Sequence, residues 1–339
     1  MRKQTLNDCS QAATRTVDWL AARIKSDGSL GDDCQDLACF YKLPYLMQLT
    51  GHVAEAHRLL DYIRDRFLRP DGDFLSSNRV KTIDPVLALY PGYINGWIMM
   101  AAHKLGRFDL SFPAWDYLRG FWNADLGGFT IERTADEANG TVEMLMCAHL
   151  GLGALYLGDM ELARGSGRAL QQFLRLQPSP NTHFFLRMAG AGLLETDFPA
   201  EAAGLHVIAA EQPGQAWFFI GYPIAFLTRL FRATGEPRDL ETARGYFDFA
   251  QRCAPRMVDE HFAHKVAWGA VELASVTGDA SHWALGAEIC KKLIEAQGRD
   301  GIWMGDQPPH ARLDQSAEVA IWLLEIAARG QTLANAKIW

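Results

Sequence analysis

The chain has 339 residues, 49% of them hydrophobic, with 33 basic and 40 acidic side chains and a net charge of −7. Charges of both signs are interspersed and no Lys/Arg-rich run occurs, so nothing marks a surface for nucleic acid or an anionic membrane. Apolar runs stop well short of the ~18 residues of a membrane span, and the six cysteines form no C-x-x-C pair, so the expected setting is the cytoplasm.

In chain order, an amphipathic stretch reaches the turn SDGSL (Ser26–Leu30), followed by GDDCQDLACFYKLPYL (Gly31–Leu46). That segment opens with Asp32, Asp33 and Asp36 and continues as a strongly apolar helix containing Lys42, with Asp36 expected one turn into it and Pro44 expected to kink it. HVAEAHRLLDYIRDRF (His52–Phe67) is amphipathic, and RPDGDF (Arg69–Phe74) repeats the turn form. An apolar helix follows over Gly92–Leu105, preceded by Tyr90-Pro91. The turn NADLGGF (Asn123–Phe129) precedes another apolar helix, Val142–Leu157.

The stretch from Ser179 to Gly214 fits neither helix type clearly. Beyond it come the apolar helix Trp217–Phe231, with Tyr222-Pro223, and amphipathic helices over Asp239–Cys253 and His282–Gln297. The turn QGRDGIW (Gln297–Trp303) and the apolar helix Ala317–Ala327 complete the chain. The four turns each supply Gly, one spacer and a large apolar residue, suited to ending a helix in the left-handed conformation and plugging the junction.

A second marker separates the helices of each unit: Gly51, Gly106, Gly158, Gly235 and Gly278, at intervals of 55, 52, 77 and 43 residues. A period near 50 with one amphipathic and one apolar helix per unit signals a helical ring or array. Helices apolar on every face must be surrounded, whereas amphipathic ones lie outside. The expectation is one all-α domain over residues 1–339, an α/α barrel (toroid) of six to seven helix pairs.

Gln297-x3-Gly301-x-Trp303 resembles the Q-W motif of squalene-cyclase and protein-prenyltransferase toroids, and Asn123–Phe129 has the same form with Asn and Phe substituted. The resemblance implies the toroid fold and covers the repeat skeleton. It departs in chemistry: no D-x-D-D acid motif is present, and the chain is about half the length of a squalene cyclase. In prenyltransferase β subunits an Asp-x-Cys pair and a later His hold zinc. The resemblance thus leaves open a zinc set of Asp32, Cys34 and His310, although the expected site is metal-independent and cofactor-free. The spacing D-D-x-x-D resembles the metal motif of class I terpene synthases, but no second metal motif accompanies it. Asn181, His183 and Arg187 resemble the Asn/His/Arg set of α/α-barrel polysaccharide lyases, with His183 and Arg187 expected on one helical face.

The inner helices of a ring run the same way, so their N-terminal ends gather at one mouth. The residues expected there are Asp32, Asp33, Asp36, Asp84, Glu137, Asn139, Glu143, Asn181, His183, Arg187, Gln215, His261, His264, Lys265, His310, Arg312, Asp314 and Glu318. Acidic residues and Asn suit helix starts, but the cations among them work against the helix dipole and ask for another role. Asp36, His261, His310 and Asp314 are the expected acid–base residues. Tyr41, Lys42, Tyr90, Tyr93, Trp97, Glu143, His183, Arg187, Trp217, Tyr222, His264 and Trp268 are the expected substrate-binding residues. Several of these are aromatic, suiting the wall of a cavity that holds a hydrophobic molecule.

The expected function is a cyclase, isomerase or lyase acting on a hydrophobic small molecule, such as a terpenoid or polyketide. The alternatives are a carbohydrate-active barrel (uronate lyase, unsaturated-glucuronyl hydrolase or sugar epimerase) and a non-catalytic binding toroid. The expected partner is a small-molecule substrate, without nucleic acid or membrane; the oligomeric state is left open.

Overall fold

The computed structural model describes residues 2–77, 79–133 and 140–335. Its helices are α1 (Arg2–Ala21), α2 (Leu43–Leu49), α3 (Val53–Phe67), α4 (Pro85–Ala88), α5 (Pro91–Lys104), α6 (Phe108–Arg119), α7 (Met144–Leu157), α8 (Met160–Leu176), α9 (Phe218–Thr234), α10 (Pro237–Met257), α11 (His264–Thr277), α12 (Ala280–Glu295) and α13 (Pro309–Asn335). Between them lie strands of two or three residues: β1 (Trp122–Asn123), β2 (Gly128–Phe129), β3 (Val142–Glu143), β4 (His183–Phe185), β5 (Arg187–Ala189), β6 (Leu193–Leu194) and β7 (Val207–Ala209).

The two helix types alternate as expected. Inner-type helices α5, α7, α9 and α11 bury most of their length, including positions that would face solvent on an amphipathic helix. Outer-type helices such as α3 and α8 bury one stripe and expose the other. With α2 and α13 as inner and α1, α6, α10 and α12 as outer members, six pairs are present among the described residues. The uncertain stretch resolves into β4 to β7 and a 3-10 segment, Ala200–Leu205, and adds no pair.

Contacts cluster into two compact units. The first comprises residues 1–9, 122–295 and 325–339; within it α9 packs on α7, α10 and α11, α8 on α7, and α12 on α11. The second comprises residues 10–121 and 296–324; within it α2 packs on α3 and α5, and α6 on α5.

The repeated turns do what their composition foretells. Gly28, Gly72, Gly127 and Gly301 all have positive φ, and the apolar residues two positions on (Leu30, Phe74, Phe129 and Trp303) are buried. In the second unit three of these glycines are also squeezed: a Cβ would collide with the backbone of Arg58 at Gly28 and of Pro113 at Gly72, and crowd Arg15 at Gly301. Each turn thus butts against the outer helix that follows in the ring order, α3, α6 or α1. Gln297 ties the last turn down, its Nε2 donating to Gly301 O at 2.8 Å, Ala12 O at 2.9 Å and Thr16 Oγ1 at 3.0 Å. At the second turn, the buried Lys81 amine lies 2.5 Å from Asp73 Oδ1 and also donates to Asn95 Oδ1.

Three local expectations are corrected. Pro44 does not kink a helix; it occupies the first turn of α2, where a missing N–H costs nothing, and so starts the helix. Asp36 does not lie one turn inside that helix, because the preceding residues form a separate 3-10 turn, Leu37–Cys39, that Asp36 caps. His183 and Arg187 do not share a helical face, since they belong to strands β4 and β5.

Candidate functional site

In the second unit a polar cluster is sealed inside the apolar walls of α2, α5 and α13. Lys42, at the N-cap of α2, is only 2% exposed; its Nζ lies 2.6 Å from Asp314 Oδ1 and 2.7 Å from Glu318 Oε2. Tyr93, in the first turn of α5, donates its hydroxyl to Glu318 Oε1 at 2.8 Å. The Lys42 ammonium also sits 5.0 Å from the ring centre of Tyr41, 5.6 Å from Tyr93 and 5.9 Å from Trp97. Burial, with Asp314 next to it, raises the Tyr41 hydroxyl well above its ordinary range, so it stays protonated and able to donate.

The spacing on α13 explains why the cluster forms. His310, Asp314, Glu318 and Trp322 follow at i, i+4 steps and share one helix face. Trp322 packs on Trp97 at 5.5 Å, and Tyr45 meets Trp97 edge-on at 5.2 Å. At the solvent end of the row, His310 Nε2 lies 3.8 Å from Asp84 Oδ2, both partly exposed. Tyr90 is buried at the N-cap of α5.

Asp36 has a different task. Its carboxylate accepts from Ala38 N at 2.9 Å, Thr82 Oγ1 at 2.6 Å and Ile83 N at 3.0 Å. It joins the 3-10 cap to the Thr82–Ile83 loop, and all three bonds are spent on structure rather than on a ligand. The Cys34 thiol is paired with Cys39 by hydrogen bonding, which lowers Cys34 and raises Cys39. Among the described residues no group of three or more His, Cys, Asp or Glu side chains is arranged to hold a metal, so Asp32, Cys34 and His310 are not brought together as ligands.

The first unit holds a second set. His149 of α7 and Tyr222 of α9 are fully buried, with His149 Nδ1 2.7 Å from the Tyr222 hydroxyl. Tyr222 meets Trp268 edge-on at 5.4 Å. Lys265 lies over the Phe218 ring at 4.8 Å and the Tyr222 ring at 5.7 Å, with its Nζ 3.4 Å from His264 Nε2. This crowding is possible because α9 and α11 touch backbone to backbone: a side chain at Gly221 would overlap Lys265 and Val266, and one at Gly269 would overlap Gly221. His264 anchors its own Nδ1 against His261 O at 2.7 Å, while the half-buried His261 sits in the 3-10 turn before α11. Trp217 donates Nε1 to Glu260 Oε2 at 2.5 Å.

Glu143 caps α7, accepting from Met146 N at 2.7 Å; burial pushes its carboxyl up to about 7, only partly opposed by backbone N–H groups and Arg187. His183 is exposed and bonded to Thr182, away from any buried group. Glu137 and Asn139 lie outside the described residues. The sequence reading missed His149, although a histidine inside an apolar helix is the same signal that picked out Lys42.

No protein-family profile matches the chain. No curated protein matches it in sequence. Solved structures do: D-mannose isomerase at TM-score 0.68, 12% identity, covering 96% of this chain and 97% of that one; an unsaturated glucuronyl hydrolase specific for heparin at 0.60, 12% identity, covering 97% and 98%; and the type II terpene cyclase MstE from Scytonema at 0.56, 15% identity, covering 96% and 99%. These similarities establish the α/α-toroid fold, the architecture expected from the repeats. At such identities they say nothing of the reaction.

Proposed function

We propose that the chain is an acid–base enzyme that moves a proton within a small, oxygen-rich substrate, as an isomerase, epimerase or lyase does. The observation that carries this reading is Lys42 held between Asp314 and Glu318 on inner helices, with Tyr93 on Glu318. Burying an ion pair contributes little net stability, and a hydrophobic set of equal volume would hold the helices as well or better. One lysine shared by two carboxylates and faced by three aromatic rings is more than a structural tie of the Lys81–Asp73 kind needs.

The roles follow from the chemistry. A carbon next to a carbonyl loses its proton to Asp314 or Glu318, the C–H pair becomes the C=C bond of an enolate, and the carbonyl oxygen takes the negative charge. Lys42 and the protonated phenols of Tyr41 and Tyr93 stabilise that oxygen. In an isomerase the carboxylic acid then returns the proton to the former carbonyl carbon, while the adjacent hydroxyl gives its own proton to the former carbonyl oxygen and becomes the new carbonyl. In an epimerase the second carboxyl protonates the same carbon from the other face. In a lyase the enolate re-forms the carbonyl, its C=C pair becomes a new α,β double bond, and a β-hydroxyl or alkoxyl departs with its bonding pair and takes the proton. Asp36 drops out as an acid, and His310 with Asp84 is left to exchange protons with solvent. The two carboxylates (Asp314 and Glu318) and two phenols (Tyr41 and Tyr93) gathered round Lys42 support a polar substrate over the hydrophobic one first expected. The second reading keeps the hydrophobic substrate, favoured by the aromatic set Tyr41, Tyr93, Trp97 and Trp322.

The test is incubation with a panel of aldoses, ketoses and uronates in deuterium oxide, read by mass spectrometry. Product or recovered substrate should gain one deuterium, and Glu318→Gln should cut that gain about 100-fold or more without a change in far-UV circular dichroism. Absence of exchange across the panel, with a thermal shift from polyprenyl or polyketide ligands instead, would overturn the polar reading in favour of the second.

A further inference from the structure

A line of charged groups in the first unit has no part in that chemistry. Antiparallel pairing of β3 with β5 sets Glu143 directly opposite Arg187. Arg187 Nη1 donates to His206 Nε2 at 3.0 Å, which places the imidazole proton on Nδ1. That Nδ1 lies 3.6 Å from Glu195 Oε2, and Glu195 Oε1 accepts from Thr141 Oγ1 at 3.1 Å. His206 also stacks on Phe198 at 4.7 Å, and both burial and Arg187 lower it, keeping it neutral.

Three buried atoms along this line have no hydrogen-bond partner among the described residues: Glu143 Oε1, Arg187 Nε and His206 Nδ1. An unmet buried polar atom is costly; His206 Nδ1 still faces Glu195, so it is Glu143 Oε1 and Arg187 Nε that point to something that binds them. With Nη1 engaged, Arg187 presents its Nε–Nη2 edge, the planar fork that matches a carboxylate with two parallel bonds. The Glu195 carboxylate stands in the same line, so a dianionic phosphate would meet more repulsion than a single negative charge. Glu143, held protonated up to near neutrality by burial, offers one O–H to the same ligand.

We propose that Arg187 and Glu143 bind the carboxylate of a small organic monoacid, with His206 as the positioning residue that fixes the guanidinium. This site stands independently of the Lys42 cluster. The test is isothermal titration at slightly acid pH with L-lactate and D-gluconate, against D-glucose and inorganic phosphate as probes. At least one acid should bind, while glucose and phosphate do not. Arg187→Lys, which keeps the charge and loses the fork, should weaken binding about tenfold, and Arg187→Gln should abolish it. Glu318→Gln should leave binding intact, which separates a failure here from a failure of the proposed reaction. If Arg187→Gln does not fold, the Arg187→Lys titration decides alone. Acid binding unchanged by Arg187→Lys, no acid binding to the wild type, or equal binding of glucose or phosphate would overturn the proposal.

Discussion

Glu143 shows how much a single buried side chain governs. Its folded-state carboxyl sits at about 7 against an ordinary 4.5, so the native chain keeps a proton that the unfolded chain releases between those values. Stability therefore falls as pH rises through that window, by ~3 kcal/mol at most once the group is ionised in both states. Glu143→Gln should remove this slope: melting temperatures of variant and wild type should agree near pH 4 and separate in the variant's favour by pH 8, as thermal melts across pH will show. The amide oxygen can still accept from Met146, so the cap survives. Much at this scale was readable beforehand. A lysine inside ACFYKLPYL has to be either paired or functional, and Glu318 and Asp314 were already among the rim residues. What could not be read was the pairing itself, because it depends on the rotational phase of α13 relative to α2.

At the scale of elements, two classes of glycine share one backbone conformation and differ in their surroundings. Gly106 has positive φ with nothing near its missing side chain, whereas Gly72 has positive φ and faces the Pro113 carbonyl. Gly106→Ala should cost ~1–2 kcal/mol, the left-handed penalty alone. Gly72→Ala should cost at least twice that, because the outer helix must move. Urea denaturation of both variants measures the difference, and equal costs would mean that the turn does not brace α6. Sequence identified both sets of glycines correctly, since helix endings depend on local composition. It failed over Ser179–Gly214 for the opposite reason: strands of two or three residues carry no readable period, and β5 is fixed by pairing with β3, some 44 positions earlier at Glu143–Arg187.

For the whole molecule, repetition made the architecture legible. Six copies of one helix pair leave a periodic trace even where each copy is degenerate, and the fold matches solved toroids over nearly the full chain at 12–15% identity. Function leaves no such trace, because a site needs a few side chains from distant copies. The last helix bears on both compact units: its first half supplies Asp314 and Glu318, and its second half supplies Glu325, which accepts from Arg229 at 2.8 Å. A chain ending at Pro308 should therefore show no cooperative thermal transition by circular dichroism; a sharp native-like transition would show that α13 is dispensable.

The Lys42–Glu318 bond spans 276 positions. Ribosomal synthesis proceeds from the N-terminus at ~5–20 residues per second, so α2 waits roughly 15 to 60 seconds for its partners to be made. Throughout that interval the Lys42 ammonium has no carboxylate from α13 to meet, and the wall around it cannot close without stranding a charge. The candidate catalytic cluster is thus the last part of its unit to be assembled. A nascent chain whose synthesis stalls before the final helix carries an open, hydrated seam where the finished protein has a closed, buried ion cluster.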